Sequence, residues 1–321
     1  MLEANDIIKL AKNTLRIESD ALNNLQESID TDFVNVVKEI ANSNGRVVVT
    51  GIGKSAIVGQ KIVATLNSTG TPSLFMHAAD AIHGDLGMIL KDDVVLCISN
   101  SGTSPEIKAL VPFLKRSGNV LLGMTGDKAS FLGTECNYLL NSHVELEACP
   151  NNLAPTTSTT AQMALGDALA VTLIEFKGFK SEDFAKYHPG GALGKKLYLK
   201  LSDIADHNAK PTVNVEDSLE DCIVKITEGR MGIVVVESEN KIVGLITDGD
   251  LRRMLSSSLN IKDLKASDVM TADPMLVDQN QLAMEGVDFI KDNRVNHIIL
   301  HSNKELKGIV HIQDLVREGL L

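Results

Sequence analysis

Hydrophobic residues at the start of the chain follow a helical period. Ile7, Leu10 and Leu15 fall on one face, so Leu2 to Ser28 is predicted to be an amphipathic helix, and a second helix is expected around Phe33 to Asn42. After these helices the pattern changes to short apolar runs that alternate with helical segments. The runs are "RVVVTG", "SLFM", "DVVLCISNS", "NVLLGMTG" and "YLLNS".

Apolar strands separated by helices are typical of a parallel sheet that is covered on both faces. The long helical pattern "TSTTAQMALGDALAVTLIEFKG", with Gly178 as its stop signal, closes this region. The fold class is therefore predicted to be α/β, with a doubly wound parallel sheet and helices on both faces, over residues 1–186.

The rest of the chain contains an internal repeat. Residues 203–260 and 267–321 align as two copies of a strand, helix, strand, strand and helix, with Gly244 matching Gly308. Each copy is too small to bury a large core alone, so the two are expected to pack against each other as an α+β pair. The repeat resembles a tandem pair of CBS domains, a regulatory module.

The composition narrows the function classes. The chain of 321 residues carries a formal charge of −11 and only 3% aromatic residues, which argues against nucleic acid or an anionic membrane as a partner. Its four cysteines have no CxxC spacing, and no apolar run reaches membrane-spanning length. These features predict a cytoplasmic protein with reduced thiols.

The glycine turn "TGIGKSA" follows a predicted strand and opens a helix. Val48 stands where a Walker A loop needs its first glycine, and Met76 and His77 stand where a dinucleotide site needs an acidic residue. A dehydrogenase is therefore disfavoured. The turn is better interpreted as a site for a small anion, because a helix N-terminus favours negative charge. Lys54 would add a point charge there, and Ser55 is a candidate substrate-binding residue.

Two further segments place hydroxyl groups at helix starts. One lies at the carboxyl end of a predicted buried strand, where open α/β sheets bind ligands. A helix cap accounts for one hydroxyl at each start, so the others favour a phosphorylated ligand. The candidates are Ser99, Ser101 and Thr103 in "ISNSGTSPE" and Thr157 and Ser158 in "LAPTTSTTAQ".

Carboxylates and histidines close to these loops supply acid-base groups. Taken singly, each has an ordinary structural explanation, such as a first-turn acid that complements the helix dipole. Several together beside an anion site indicate an enzyme. They are Glu106, Glu147, His77, His83 and His188, the last within residues 187–202, which are predicted to be a linker.

Taken together, these motifs resemble a known family. The strings "TGIGKS", "STGTPS", "HGDLGMI", "SNSGTSPEI", "EACPNNLAPTTSTTAQMALGDALA" and "HPGGALGKKL" are similar to the sugar-isomerase (SIS) domain of the D-arabinose-5-phosphate isomerases, and the SIS-then-CBS order covers essentially the whole chain. Ala56 and Ile57, and "HAADA", depart from the usual family pattern beside the pocket.

The resemblance implies a function and a set of site residues. The family interconverts D-ribulose 5-phosphate and D-arabinose 5-phosphate, which supplies 3-deoxy-D-manno-octulosonate for lipopolysaccharide or capsule. It works as a cytoplasmic homotetramer and requires no metal or other cofactor. Positions that match its catalytically relevant residues are Lys54, Glu106, Glu147 and His188. Positions that match its substrate contacts are His77, His83, Gly70 and Thr71, with His77 also at a position where zinc inhibits.

Moving a carbonyl between C1 and C2 needs a base at carbon, an acid-base group at oxygen and donors for the enediolate. We hypothesise that Glu106 or Glu147 is the carbon base, that His188 serves the oxygens, and that Lys54 stabilises the oxyanion. His188 acts either in its own subunit or in a neighbouring one.

For the repeat, Thr247 and Asp250 in "GLITDGDLRR" match the pattern by which CBS modules hold nucleotides, whereas the second copy has His311 and Asp314. A nucleotide or nucleotide-activated sugar effector is one interpretation, and a platform for oligomerisation is the other. Another phosphosugar isomerase and a non-catalytic sugar-phosphate sensor stay open as alternatives, as does the pathway served: lipopolysaccharide, capsule or sugar-alcohol uptake.

Overall fold

The chain forms two compact units, Met1–Phe184 and Ala185–Leu321. The computed structural model describes residues 2–255 and 264–321. The predicted end of the first repeat, residue 260, lies outside the described residues. Among the helices of these two ranges, none has both the length and the apolar character needed to cross a membrane.

The first unit contains a five-stranded parallel sheet in the order β2-β1-β3-β4-β5. Its strands are Val47–Gly51 (β1), Ser73–His77 (β2), Val94–Ile98 (β3), Leu121–Thr125 (β4) and Tyr138–Asn141 (β5). Its helices are Ala4–Leu25 (α1), Thr31–Asn42 (α2), Lys54–Ser68 (α3), Ala78–Ala81 (α4), Pro105–Ser117 (α5), Phe131–Glu135 (α6) and Thr157–Lys177 (α7), and Ser181–Tyr187 (α8) spans the boundary with the second unit.

Alternate strand residues bury themselves on opposite faces of this sheet. Val47 and Val49 of β1 pack with α2, α3 and α7, whereas Val48 packs with α4 and α5. Two separate apolar clusters therefore cover the two faces, and the predicted doubly wound α/β fold is confirmed. The five-residue helix α6 was not predicted, because one turn and a half is too short to show a period.

Helix α7 ends where its stop signal predicts. Gly178 takes the left-handed conformation, with φ of +64°, and its N–H donates to the carbonyls of the last turn. Cys97, Cys136, Cys149 and Cys222 are free thiols. Burial raises the pKa of Cys97 to about 12, so this thiol behaves as a core residue.

The second unit contains two sheets. Thr212–Asn214 (β6), Ile233–Ser238 (β7), Lys241–Thr247 (β8) and Thr271–Ala272 (β9) form one sheet, and Leu276–Asp278 (β10), His297–Ser302 (β11) and Glu305–His311 (β12) form the other. The helices are Ala192–Tyr198 (α9), Leu201–Ala205 (α10), Leu219–Gly229 (α11), Asp248–Leu255 (α12), Ala266–Val269 (α13), Ala283–Asn293 (α14) and Ile312–Arg317 (α15). Each copy of the repeat has the predicted order of elements, and residues from β7, β8, β11 and β12 share one buried cluster.

The two copies exchange the segments in which they begin. Helix α10, at the start of the first copy, packs in the core of the second, and Ala266 of α13, at the start of the second copy, packs in the core of the first. The matched glycines mark this exchange: a Cβ on Gly308 would lie 2.5 Å from Ala205, and one on Gly244 would lie 2.3 Å from the sulfur of Met270. The glycines that repeat in the sequence therefore mark the positions where the exchanged segments pack. The two copies do not have independent cores.

The segment predicted as a linker, residues 187–202, is largely helical. Helix α9 occupies Ala192–Tyr198, and α10 begins at Leu201. The proline and glycines of "HPGG" interrupt the helical structure only between α8 and α9, so they mark a turn between two helices. The domain bounds drawn from the sequence otherwise remain a prediction.

Candidate active site

The carboxyl edge of the parallel sheet gathers the loops that carry the predicted site. Gly51 at the end of β1 pairs with His77 at the end of β2 and with Ile98 at the end of β3. The chain leaves β1 toward β2 and reaches β4 from β3, so the strand order reverses between β1 and β3. Ligands bind at such a point in open α/β sheets, because the loops on either side diverge and leave a crevice.

The turn after β1 supplies one wall of this crevice. Lys54 is the first residue of α3 and is exposed, and Ser55 beside it is half-buried. The Ser55 hydroxyl donates to Oε1 of Gln162 on α7, at 3.3 Å. A helix N-terminus with an exposed lysine attracts an anion, and the anion site here stays a prediction.

The loop between β3 and α5 supplies the other wall. Ser99 is 5% exposed, and its Oγ accepts the N–H of Gly102 at 3.1 Å. Gly102 has φ of +62°, and a Cβ there would lie 2.0 Å from the hydroxyl of Ser130, so only glycine fits. Ser101 and Thr103 are exposed. Ser99 therefore shapes the loop, while Ser101 and Thr103 face solvent.

Glu106 lies in the first turn of α5, half-buried, after Ser104 and Pro105. The Ser104 hydroxyl is buried, makes no cap to the helix and has no hydrogen-bond partner among residues 2–255 and 264–321. A simple helix cap does not account for this loop. The arrangement leaves hydroxyl and carboxylate groups for a ligand at the start of α5.

Glu147 has a different environment at the start of α7. Its Oε2 accepts the N–H of Thr156 at 2.8 Å, the hydroxyl of Thr156 at 3.2 Å and the N–H of Ser158 at 3.1 Å. Partial burial would raise the pKa of Glu147. The Ser158 side chain, which has the largest lowering effect, and the hydrogen bonds from Thr156 and from the Ser158 N–H outweigh burial and hold the pKa below its ordinary value. The Ser158 hydroxyl has this effect without meeting the geometry of a hydrogen bond. The carboxylate caps α7 from outside the helix.

Thr157 and Ser158 are both fully buried. The Thr157 hydroxyl oxygen accepts the N–H of Ala148 at 2.9 Å, which ties the loop before α7 to the helix. The Ser158 hydroxyl has no partner in the part of the chain that the structure describes. Of these two predicted substrate contacts, the Thr157 hydroxyl is already hydrogen-bonded within the protein, whereas the Ser158 hydroxyl makes no hydrogen bond of normal geometry to a described residue.

The predicted histidine pair lies at the same edge. His77 ends β2, half-buried, with Nδ1 3.7 Å from a carboxylate oxygen of Asp80, and His83 is exposed. The described ranges contain no group of three or more His, Cys, Asp or Glu side chains that could hold a metal. The zinc site at His77 stays a prediction.

Gly70 and Thr71 lie at the opposite edge of the sheet, because they precede β2 whereas His77 ends it. Thr71 is 2% exposed and its hydroxyl accepts a hydrogen bond from Nζ of Lys177 at 3.0 Å. A five-residue strand is about 17 Å long. One chain therefore does not bring these two residues to the crevice, contrary to the expectation that they lie beside the same sugar.

His188 belongs to the second unit. Its backbone N–H donates to the carbonyl of Ala185 at 3.2 Å, and its carbonyl accepts the N–H of Gly191 at 3.0 Å, so it forms the turn between α8 and α9. The first unit alone thus brings together Lys54, Ser55, the serine-rich loop, Glu106, Glu147 and the two histidines, but not His188.

The second unit has a cavity of about 510 Å³. Thr247 and His311, which occupy matching positions in the two copies, both line it, together with Arg252, Phe289 and His297. Burial lowers the pKa of His297, although its Nε2 lies 2.6 Å from the carbonyl oxygen of Met231. The cavity offers apolar, cationic and imidazole groups to a ligand, and the carboxylate of Asp248 also lines it.

The two predicted carboxylates do not line this cavity. Asp250 Oδ2 accepts the N–H and the hydroxyl of Thr247, at 2.9 and 2.7 Å. Asp314 is 9% exposed, and its Oδ2 accepts the N–H of His311 and a side-chain N–H of Asn208. Both lie in the first turn of a helix, Asp250 in α12 and Asp314 in α15, and hold the residue that precedes that turn. Asp250 and Asp314 thus serve as caps in the described structure, and the ligand contacts predicted for them stay a prediction that this cavity does not support.

Sequence reasoning missed Gln162 and His297. Gln162 stands one turn after Ser158 in "TSTTAQ", so the two side chains lie on the same face of the helix. This spacing was the signal in the sequence that could have identified Gln162. His297 gave no such signal, because only the fold brings its ring to 4.8 Å from that of His311.

Comparisons with known proteins identify the two kinds of domain. Residues 39–172 match the SIS domain, and residues 201–257 and 266–320 match the CBS domain. The chain is 44% identical to the arabinose 5-phosphate isomerase KdsD of Pseudomonas aeruginosa, over 98% of both proteins. It is 42% identical to the KdsD of Yersinia pestis, over 98% of this chain and 97% of the relative.

Among solved structures, a protein of Escherichia coli CFT073 in complex with arabinose 5-phosphate is 42% identical, with a TM-score of 0.57, and matches 59% of this chain and all of that one. Because the similarity to the isomerases runs over the full length and includes both kinds of domain, the chain belongs to the arabinose 5-phosphate isomerase family, with an SIS domain followed by a tandem CBS pair.

Proposed function

We propose that this chain is an aldose-ketose isomerase that interconverts D-ribulose 5-phosphate and D-arabinose 5-phosphate. Full-length similarity to arabinose 5-phosphate isomerases carries the proposal, and the crevice at the carboxyl edge of β1 and β3 supports it. That crevice has a helix N-terminus and Lys54 for the phosphate, and carboxylates for proton transfer.

Isomerisation takes a proton from C1 of the ketose, passes through an enediolate and returns a proton to C2, while a second group moves a proton between O1 and O2. Glu106 is the better candidate for the carbon base. The Oε2 of Glu147 already accepts three hydrogen bonds, and its lowered pKa makes it a weaker base. Glu147 would then fix the start of α7, and Lys54 would stabilise the enediolate or the phosphate.

We propose His188 as the oxygen acid-base group, because an imidazole ring can both accept and donate a proton near neutral pH. Since it belongs to the second unit, the proposal includes its delivery to a crevice of its own or of a neighbouring chain within a homotetramer. A cytoplasmic location, a role in lipopolysaccharide or capsule precursor supply, and inhibition by zinc at His77 belong to the same proposal.

Incubation of the pure protein with a panel of phosphosugars, followed by identification of the products, tests the reaction. We expect D-arabinose 5-phosphate from D-ribulose 5-phosphate, without an added metal or nicotinamide. Turnover of a hexulose phosphate alone would favour the other phosphosugar isomerases. Binding without turnover would favour a sensor.

The cavity of about 510 Å³ supports a second role, binding of a nucleotide or nucleotide-activated sugar by the CBS pair. Thr247, Arg252 and the histidines suit phosphate oxygens, and Phe289 and Met275 suit a base. Calorimetric titration with adenine and cytidine nucleotides tests this role. Absence of binding for all of them would favour a platform for oligomerisation.

A further inference from the structure

Gln162 has a buried side-chain amide, and of its two polar atoms only the oxygen has a hydrogen-bond partner among the described residues. It lies on α7, fully buried. Its Oε1 accepts the hydroxyl of Ser55 at 3.3 Å, whereas its Nε2 has no hydrogen-bond partner in residues 2–255 and 264–321. Unpaired buried donors are few in native interiors and are costly, so each one calls for an explanation.

A second unpaired group stands on the same face of the helix. The Ser158 hydroxyl lies one turn before Gln162 and is equally buried. It makes no hydrogen bond of normal geometry to a described residue, although it helps to lower the pKa of Glu147. Both belong to the end of α7 that Glu147 caps. The unpaired groups therefore cluster at the carboxyl edge of the sheet, where the proposed function needs donors.

The partner of Gln162 explains what the amide does. Ser55 stands next to Lys54 in the first turn of α3, where an anion would bind. A serine hydroxyl has one proton. In this structure that proton is directed at Oε1 of Gln162, so Ser55 presents only lone pairs to an arriving phosphate. Phosphate oxygens need donors, so the present arrangement is not the binding arrangement.

We propose that Gln162 is a positioning residue that releases the Ser55 proton when a phosphosugar binds. The carboxamide turns over, Nε2 donates to the Ser55 oxygen, and the Ser55 proton is donated to a phosphate oxygen. The terminal torsion of glutamine is broad and nearly two-fold, and the amide N and O have nearly the same size, so the turn needs no repacking. The proposal rests on the proposed function and gives the unpaired Nε2 a partner.

Two variants at this position separate the mechanism from simple packing. In Gln162→Glu the new carboxylate accepts but does not donate at neutral pH, so Ser55 stays directed at it, and its charge repels phosphate. We expect affinity for inorganic phosphate and for D-arabinose 5-phosphate to fall at least about 10-fold, the loss of one charge-assisted hydrogen bond. The loss should shrink as pH falls, because the protonated carboxyl donates again.

Gln162→Leu keeps the approximate volume and removes both amide groups. It leaves the Ser55 proton free but unoriented, so we expect a smaller loss of affinity, about 3-fold, with no pH dependence. Its melting temperature should equal or exceed that of the wild type, because an unpaired buried donor is gone. Ser142→Ala is the control: this hydroxyl is also buried without a partner in the described ranges, but it follows β5, three strands from β1.

Isothermal calorimetry with inorganic phosphate, and KM and kcat with the phosphosugar, provide the readouts. Should the buried carboxylate prevent folding, Ser55→Ala combined with Gln162→Leu gives the same test, because Gln162→Leu should then cost nothing further. Equal losses in both Gln162 variants without recovery at low pH, or additive losses with Ser55→Ala, would overturn the proposal. Phosphate titration decides the role of Gln162 even if the wild type turns over no phosphosugar, which would contradict the proposed function alone.

Discussion

The two units use their polar side chains in opposite ways. At the sheet edge of the first unit, the Ser158 hydroxyl and Nε2 of Gln162 are buried without partners among the residues described, and Lys54 is exposed. In the second unit, the carboxylates of Asp250 and Asp314 are occupied by the helices they begin. A polar group without a partner at a crevice indicates a ligand, whereas one with its lone pairs occupied indicates a structural role.

The largest expected effect is on turnover, and it tests the role that the comparison gives to the first unit. Glu106→Gln should lower kcat by about 10² to 10⁴-fold, because a neutral amide does not take a proton from carbon. The melting temperature should not change, since the substitution is isosteric. Steady-state kinetics and thermal melts check both parts. Full activity in this variant would remove Glu106 from the mechanism.

Glu147→Gln is the matched comparison for that experiment. It replaces an acceptor for the Thr156 and Ser158 N–H groups by a weaker, uncharged one. We expect a loss of unfolding free energy of about 1 kcal/mol together with reduced kcat, because the start of α7 is less well held. If Glu147→Gln melts like the wild type and still loses kcat as strongly as Glu106→Gln, Glu147 would be the carbon base instead.

Smaller effects are expected in the second unit. Asp250→Ala and Asp314→Ala should each cost about 0.5–2 kcal/mol of stability through the lost helix cap. Asp314→Ala should cost more, because Asp314 also accepts from Asn208. Amide hydrogen exchange on peptides from α12 and α15 checks this. Nucleotide affinity should be retained, and a variant that keeps its stability but loses nucleotide binding would restore the ligand role of these carboxylates.

The smallest effects concern pH, and they distinguish the two units. The folded pKa values of His297 and Glu147 are both lowered, so each contributes stability above its ordinary pKa that is lost as pH falls. For His297 the loss begins below 6.5, and for Glu147 only below 4.5. Scanning calorimetry from pH 8 to 4 should therefore show the second unit weakening first.

His297→Asn serves as the control for the pH experiment, because asparagine does not titrate in this range. The second unit of that variant should lose less stability between pH 7 and 5 than the wild type. The same decline in both proteins would assign the pH sensitivity to other groups.

Much of the fold followed from local patterns. The alternation of apolar runs and helical segments predicted the parallel sheet, and the repeat of Gly244 at Gly308 predicted two similar units. The helix Ala192–Tyr198 was mistaken for a linker, because the proline and glycines of "HPGGALG" are typical of a loop and the helix is only seven residues long. Short helices depend on their neighbours for stability and leave little periodicity to detect.

By itself, the sequence determined which chemistry is available: the glycine turn with Lys54, the serine-rich loop, and Glu106 and Glu147 at helix starts. Their meeting at one edge also followed, because parallel strands place all their carboxyl ends together. Only the tertiary structure decided how these groups are used. It gave Asp250, Asp314 and Glu147 backbone donors and placed Thr71 at the far edge of the sheet. It also left Nε2 of Gln162 without a hydrogen-bond partner in the described part of the chain. Hydrogen-bond partners are set by contacts between distant segments, and residue type and spacing do not determine those contacts.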